Sequence, residues 1–142
     1  MEKTDKKVFI FDNIKVFFKH TDFYGFVHPY NYYEWTSYVR EAFFSKNCGN
    51  FKSVIDSKVK MMTAKIQLEV ASDCSFGDDV EARLTVTKVK RVSLDVIVRF
   101  VNKQSKQLAA ETRHTLVFVD SSAKQFTSVP ESIKEAIADY QE

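Results

Sequence analysis

The sequence predicts a single α+β domain in which an antiparallel β-sheet wraps around a central α-helix. Three observations lead there. A long stretch beginning at Tyr32 repeats its apolar residues at helical spacing, and four later stretches alternate apolar and polar residues at period two. The chain has 142 residues with only 3 Gly and 2 Pro, enough to bury one core but with little room for linkers, so one domain spanning 1–142 is expected.

Residues 8–19 (VFIFDNIKVFFK) are rich in β-branched and aromatic types and predict a first strand with a break near Asp12-Asn13. Gly25 and Pro29 then punctuate the chain, and Asn31 is the expected N-cap of the helix. In that helix Tyr32, Trp35, Thr36, Val39, Ala42 and Phe43 recur on one side, while Glu34, Ser37, Glu41 and Ser45 form a narrow polar stripe. A helix apolar over most of its circumference needs cover on several sides, which a curved sheet supplies. Gly49, in Asn47-Cys48-Gly49-Asn50, suits a left-handed cap, and 51–60 is either a short helix or a linker.

Four strands follow. Met62, Ala64, Ile66, Leu68 and Val70 alternate with Lys65, Gln67 and Glu69; Val80, Ala82, Leu84 and Val86 alternate with Glu81, Arg83, Thr85 and Thr87. Val92 to Phe100 repeats the pattern, and 108–119 does so less cleanly. Short connections at 72–79 and 102–106 favour antiparallel neighbours. Val89, Ile97 and Val101 on the outward sides suggest a subunit interface. Pro130 opens a last helix, with Ile133, Ala136, Ile137 and Tyr140 on one stripe.

Composition excludes several classes. A net charge of +2 spread over both signs argues against nucleic acid as a partner. The 2 Cys form no CxxC pair and no HExxH spacing occurs, so neither a disulfide framework nor a metal site is expected, and no cofactor is implied. No apolar run has the length of a signal peptide or membrane span, so a soluble, cytoplasmic protein with no membrane partner is the expectation.

The candidate chemistry lies in 20–44, HTDFYGFVHPYNYYEWTSYVREAFF. Its one early carboxylate, Asp22, sits among apolar residues before Gly25; it is either a turn residue satisfying nearby N–H groups or a reactive acid. Arg40, at the border of the apolar face, is either a surface arginine paired with Glu41 or with a partner chain, or a substrate-polarising cation. His28 is a turn residue, an acid or a donor, and Tyr24, Phe26, Tyr30, Tyr32 and Trp35 either pack or line a pocket. Lys88, Lys90 and Arg91 form a local basic cluster, which in a hairpin is usually a solvated face.

The run Asp22-x-x-Gly25-x-Val27, followed by Asn31-Tyr32 and Trp35, resembles the signature of hotdog-fold acyl-CoA thioesterases of the 4-hydroxybenzoyl-CoA thioesterase type. Arg40-Glu41 is similar to the enediyne polyketide thioesterases, a branch of that superfamily, and Phe76-Gly77-Asp78 resembles the family's aromatic-Gly-Asp turn. The resemblance implies hydrolysis of an acyl thioester, on coenzyme A or an acyl carrier protein, by a homo-oligomer (dimer or tetramer) with sites at subunit interfaces. By that resemblance Asp22 is the nucleophile or general base, with Arg40 and His28 as further catalytic candidates. Tyr30, Asn31 and Tyr32 would bind substrate at the helix N-terminus, and Lys90 and Arg91 would meet the nucleotide phosphates. Two positions depart from the pattern. The residue seven after Asp22, a Tyr that donates its backbone N–H in the hydroxybenzoyl branch, is Pro29, which has none; the enediyne branch has Asn where Asp22 stands. The competing class is a non-catalytic acyl-thioester binding module of the same fold. A dehydratase is a third reading, for which His28 is poorly placed.

Overall fold

The computed structural model describes residues 6–142. Its strands are β1 (Phe9–Lys15), β2 (Val59–Val70), β3 (Asp79–Thr87), β4 (Ser93–Asn102), β5 (Leu108–Asp120) and the short β6 (Gln125–Phe126). Its α-helices are α1 (Tyr30–Asn47), α2 (Phe51–Ile55) and α3 (Glu131–Ile137), with single 3₁₀ turns at Phe18–His20 and Ala138–Tyr140. The strands form one antiparallel sheet in the order β1-β3-β4-β5-β2, with β6 beside the end of β5.

Alternation does most of the building. Ala82, Leu84, Val86, Leu94, Val96, Val98, Phe100, Leu116 and Phe118 are buried on one face and meet the apolar face of α1, where Tyr32, Trp35, Val39, Phe43 and Phe44 are buried. Tyr32 lies 5.1 Å from Phe100 between ring centroids, and Phe43 lies 5.4 Å from Phe9 and 4.9 Å from Tyr140. Each such side chain contributes about 1.5–3 kcal/mol on burial, so this interface dominates the stability of the fold. The opposite side of α1 is open: Tyr30, Tyr33 and Tyr38 are exposed, so the helix is covered over a narrower arc than its composition suggests.

Several boundaries differ from the sequence expectation. The first strand stops at Lys15, and its register shifts between Phe11 and Ile14, at the expected break. Helix α1 begins one residue before Asn31, with Pro29 already at helical dihedrals, so Asn31 is a first-turn residue and not the cap. Its buried amide instead donates to the carbonyls of His20 (2.7 Å) and His28 (3.0 Å), tying the preceding loop to the helix. Gly49 is not left-handed: the helix ends at Cys48, whose N–H donates to the Phe44 carbonyl. Gly25 (φ 83°) and Gly77 (φ 89°) are the two glycines whose turns require positive φ.

The strand after 72–79 does not pair with the one before it. β2 lies on β5 and β3 on β4, so the connection crosses the end of the sheet from one side to the other. Ala71 and Ser72 both donate to the Ala109 carbonyl as the chain leaves β2. β2 also carries a bulge between Thr63 and Lys65. Directly opposed residues share a face, so Met61 and Thr63, opposite Phe118 and Leu116, face α1; past the bulge Ile66 and Leu68, opposite His114 and Thr112, do so. The single even-numbered apolar face expected for this strand is therefore split, and Met62 is turned outward.

Ile97 was expected at a subunit interface but is 1% exposed within the chain. It stands opposite Thr85, beside the place where Glu142 receives the Thr85 hydroxyl (2.7 Å) and the Arg99 guanidinium (2.9 Å). Among the described residues no helix is long and apolar enough to cross a membrane.

Candidate active site

The sequence-selected residues fall into two groups along α1. At its N-terminus stand Asp22, His28, Tyr30, Asn31 and Tyr32. Asp22 heads a tight turn: its backbone N–H donates to the Phe26 carbonyl (2.7 Å), and its Oδ1 accepts from the N–H groups of Tyr24 (2.9 Å) and Phe26 (3.2 Å). Oδ1 is thus the turn carboxylate, while Oδ2 has no hydrogen-bond partner among the described residues. The surroundings are apolar and open, with Phe23 97% exposed and Tyr24, Phe18 and Phe76 also exposed.

The first turn of α1 is largely self-satisfied. The Asn31 N–H donates to the His28 carbonyl (3.0 Å) and the Tyr32 N–H to the Pro29 carbonyl (3.1 Å). Pro29 has no N–H. The Tyr30 N–H is held at 3.3 Å by the His28 Nδ1, a long bond to a side chain that is itself exposed. Asn31 and Tyr32 are buried, with Tyr32 between Trp35 and Phe100; their side chains are structural in this chain and do not open to a cleft.

Arg40 lies ten residues after Tyr30, about 15 Å along the helix at 1.5 Å per residue. It makes no salt bridge among the described residues, so the Glu41 pairing does not form. The guanidinium is instead held by neutral groups: Nη1 donates to Thr63 Oγ1 (2.9 Å) and approaches His114 Nδ1 at 3.4 Å. Burial draws it below the ordinary arginine range, with Glu41 partly opposing. Arg40 and Glu41 edge a cavity of about 290 Å³ whose wall is Ser37, Phe44, Phe51, Ile55 and Met61. Phe51, Ile55 and Met61 also line an adjoining cavity of about 130 Å³, with Val54, Val59, Lys60, Phe118 and Pro130.

One helical turn earlier, Thr36 Oγ1 lies 2.7 Å from Thr112 Oγ1. Thr36 and Arg40 on the helix thus match Thr112 and His114 on β5, a row of polar contacts across an otherwise apolar interface. His114 is 1% exposed and its Nε2 has no partner among the described residues. Burial, then the Arg40 charge, push its pKa down to about 4, against a weak opposing effect of Asp95. Sequence reasoning missed Thr63, Thr112 and His114. The available signal was parity, since Thr112 and His114 occupy the inward positions of β5 between Ala110 and Leu116.

Lys88, Lys90 and Arg91 occupy the β3–β4 hairpin, where Lys88 has positive φ (48°). The Arg91 carbonyl accepts from Val129 N–H (2.9 Å), which sets the hairpin next to Pro130 and the smaller cavity. Along the sheet this is the end opposite Phe100, against which the α1 N-terminus packs. The basic hairpin therefore belongs with the Arg40 half of the molecule and not with Asp22 of the same chain. Among the described residues no group of three or more His, Cys, Asp or Glu side chains is arranged to hold a metal ion.

Comparison with known proteins bears on the fold. No curated protein sequence matches the chain. A 1,4-dihydroxy-2-naphthoyl-CoA thioesterase from Synechocystis superposes with a TM-score of 0.82 at 18% identity, covering 94% of this chain and 97% of its own. A Staphylococcus aureus protein solved in complex with CoA gives 0.86 at 18% identity, covering 99% and 87%. The dynemicin thioesterase gives 0.85 at 19% identity, covering 97% and 99%. These likenesses establish the curled antiparallel sheet of the hotdog thioesterases. A family model, described as thioesterase-like superfamily, matches residues 16–137. The chain belongs to the thioesterase-like superfamily.

Proposed function

We propose that this protein hydrolyses an acyl-CoA thioester, with Arg40 receiving the developing charge on the carbonyl oxygen. The observation that carries the reading is a half-buried guanidinium with no carboxylate partner among the described residues, at the edge of a partly apolar cavity. Among the described residues only one of its nitrogens is engaged, by Thr63 and His114, so further N–H groups remain for an oxygen ligand. Membership of the thioesterase-like superfamily and likeness to a named CoA thioesterase and to a protein solved with CoA support the substrate class.

In the reaction a water oxygen bonds to the thioester carbon while a carboxylate takes its proton, or the carboxylate attacks first and water then hydrolyses the anhydride. In either route the tetrahedral oxyanion is stabilised by donors already in place, and its collapse breaks the C–S bond; the departing thiolate takes the proton held by the carboxylic acid, or one from solvent in the anhydride route, and leaves as the thiol. Asp22 is the proposed carboxylate, acting through Oδ2. The Tyr30 N–H, which now donates to His28 Nδ1, is proposed to turn to the substrate oxygen, making Tyr30 a second donor with His28 as its resting partner. Asn31 and Tyr32 are proposed only as supports of that turn. Lys90 and Arg91 are proposed to meet the nucleotide phosphates, beyond the cavity that starts at Arg40.

Asp22 lies in the turn before α1 and Arg40 about 15 Å beyond the helix start, so a substrate shared between them is proposed to lie between two copies, one giving each residue. A homo-oligomer built on the free edge of β2 supplies them. Support comes from that strand, which is unpaired on its outer side among the described residues, presents Met62 (53%) on the outward face and leaves Ile66 (38%) and Val70 (51%), on the α1 side, partly open to solvent. Within such an assembly the sheet of each copy is proposed to wrap around its helix. An acyl carrier protein would present the same thioester and remains the alternative carrier.

One observation favours a second reading, a non-catalytic acyl-thioester binding module: the α1 N-terminus has Pro29 and two N–H groups already bonded to carbonyls. Thiol release from benzoyl-CoA and lauroyl-CoA, followed with Ellman's reagent for wild type, Arg40→Ala and Asp22→Asn, separates the two. Hydrolysis predicts release that both variants reduce; binding by calorimetry without release by any of the three would replace hydrolysis with the binding module.

A further inference from the structure

The residue that the proposed chemistry leaves unexplained is His114. An imidazole 1% exposed at the inward register of β5 stands where its neighbours are Thr112 and Leu116, and its Nε2 finds no partner among the described residues. Arg40 has only N–H donors. The Nδ1 facing it at 3.4 Å must therefore accept, which assigns the proton to Nε2, the nitrogen with nothing to receive it. The ring is thus arranged for the benefit of Arg40 at the expense of its own hydrogen bonding. Thr63 completes the cradle at 2.9 Å, and it faces inward because of the β2 bulge immediately after it. Bulges commonly re-aim a side chain beside a functional site.

We infer that His114 is a positioning residue, which with Thr63 fixes the Arg40 guanidinium at the cavity edge in the orientation that receives the thioester carbonyl. The inference rests on the proposed role of Arg40. Its physical basis is preorganisation: a long, flexible arginine stabilises a transition state only if it is already aimed, and displacements near 1 Å lower rates by up to about 100-fold. The charges facing His114 agree with a neutral ring. Arg40 of α1 opposes a second cation there; Asp95 of β4, the acid that acts on it, is engaged by the Thr115 hydroxyl at 2.7 Å.

His114→Leu tests this together with a pair of amides. Asn places an oxygen where Nδ1 lies and Gln places one where Nε2 lies, so Asn keeps the acceptor for Arg40 and Gln loses it. With benzoyl-CoA and lauroyl-CoA, His114→Leu is expected to lower kcat about 10- to 100-fold, with KM within about twofold, and to melt no lower than wild type because an unpartnered buried nitrogen is removed. His114→Asn restores most of kcat and His114→Gln does not. In an Arg40→Ala background, His114→Leu adds no further loss. Unchanged kcat in His114→Leu, or an equal additional loss without Arg40, overturns the inference while leaving the Arg40 role intact. Full turnover by Arg40→Ala overturns both. If the leucine variant does not fold, equal kcat in the Asn and Gln variants overturns the inference.

Discussion

The buried neutral histidine makes acid stability a quantitative test of the structure that needs no substrate. Above pH 6.5 His114 is neutral both folded and unfolded and contributes no pH dependence. Below it the unfolded chain takes up a proton that the folded chain refuses until about pH 4. The unfolded state then binds more protons, so stability falls as pH falls, by about 1.4 kcal/mol per pH unit for one group. From pH 7 to pH 5 only the interval below 6.5 counts, giving about 2 kcal/mol; the whole interval down to the folded pKa gives about 3 kcal/mol. Other groups also titrate there, so the informative quantity is the difference between wild type and His114→Leu at each pH. Urea denaturation at fixed protein concentration, at pH 7.5 and pH 5, should give His114→Leu a smaller acid loss by about 2 kcal/mol. Parallel losses in the two proteins would mean that His114 is not held neutral, and the account of its burial against Arg40 would fail.

Two further outcomes follow from the arrangement. Removing the charges of Lys90 and Arg91 by alanine should raise KM several-fold for CoA thioesters and leave the matching pantetheine thioesters unaffected; equal effects on both would refute phosphate contact. Met62→Lys, on the outward face of the free β2 strand, should shift the protein to monomer in analytical ultracentrifugation and abolish turnover while the fold survives by circular dichroism; an unchanged assembly would exclude this edge as the interface.

How much of this was legible in the residues depends on the length scale of the signal. Strand alternation and the α1 apolar stripe are local, repeated patterns, and they gave the α+β sheet-and-helix design and nearly all of the core. The β2 pairing was not legible, because eight residues between two alternating runs look like a hairpin whether the chain turns back or crosses the sheet end. The bulge near Ala64 was hidden for a related reason: one unpaired residue reverses parity without leaving a mark in composition. At the site, Asp22 and Arg40 stood out as charges among aromatics. Their separation along α1, and the commitment of Asp22 Oδ1 to Tyr24 and Phe26, needed coordinates. Asn31 looked like a cap because Asn favours that place, but Pro29 takes helical dihedrals first and moves the start. Thr63 and His114 come from distant strands and become neighbours of Arg40 only after register is set.

The central claim is that Arg40 meets the carbonyl oxygen of an acyl thioester undergoing hydrolysis. The most direct measurement is kcat for thiol release from benzoyl-CoA and lauroyl-CoA by wild type and Arg40→Ala, with folding checked by circular dichroism. Loss of an oxyanion donor of this kind predicts a drop of about 100- to 1,000-fold, expressed in kcat more than in KM. Arg40→Ala turning over either thioester at the wild-type rate would contradict the account.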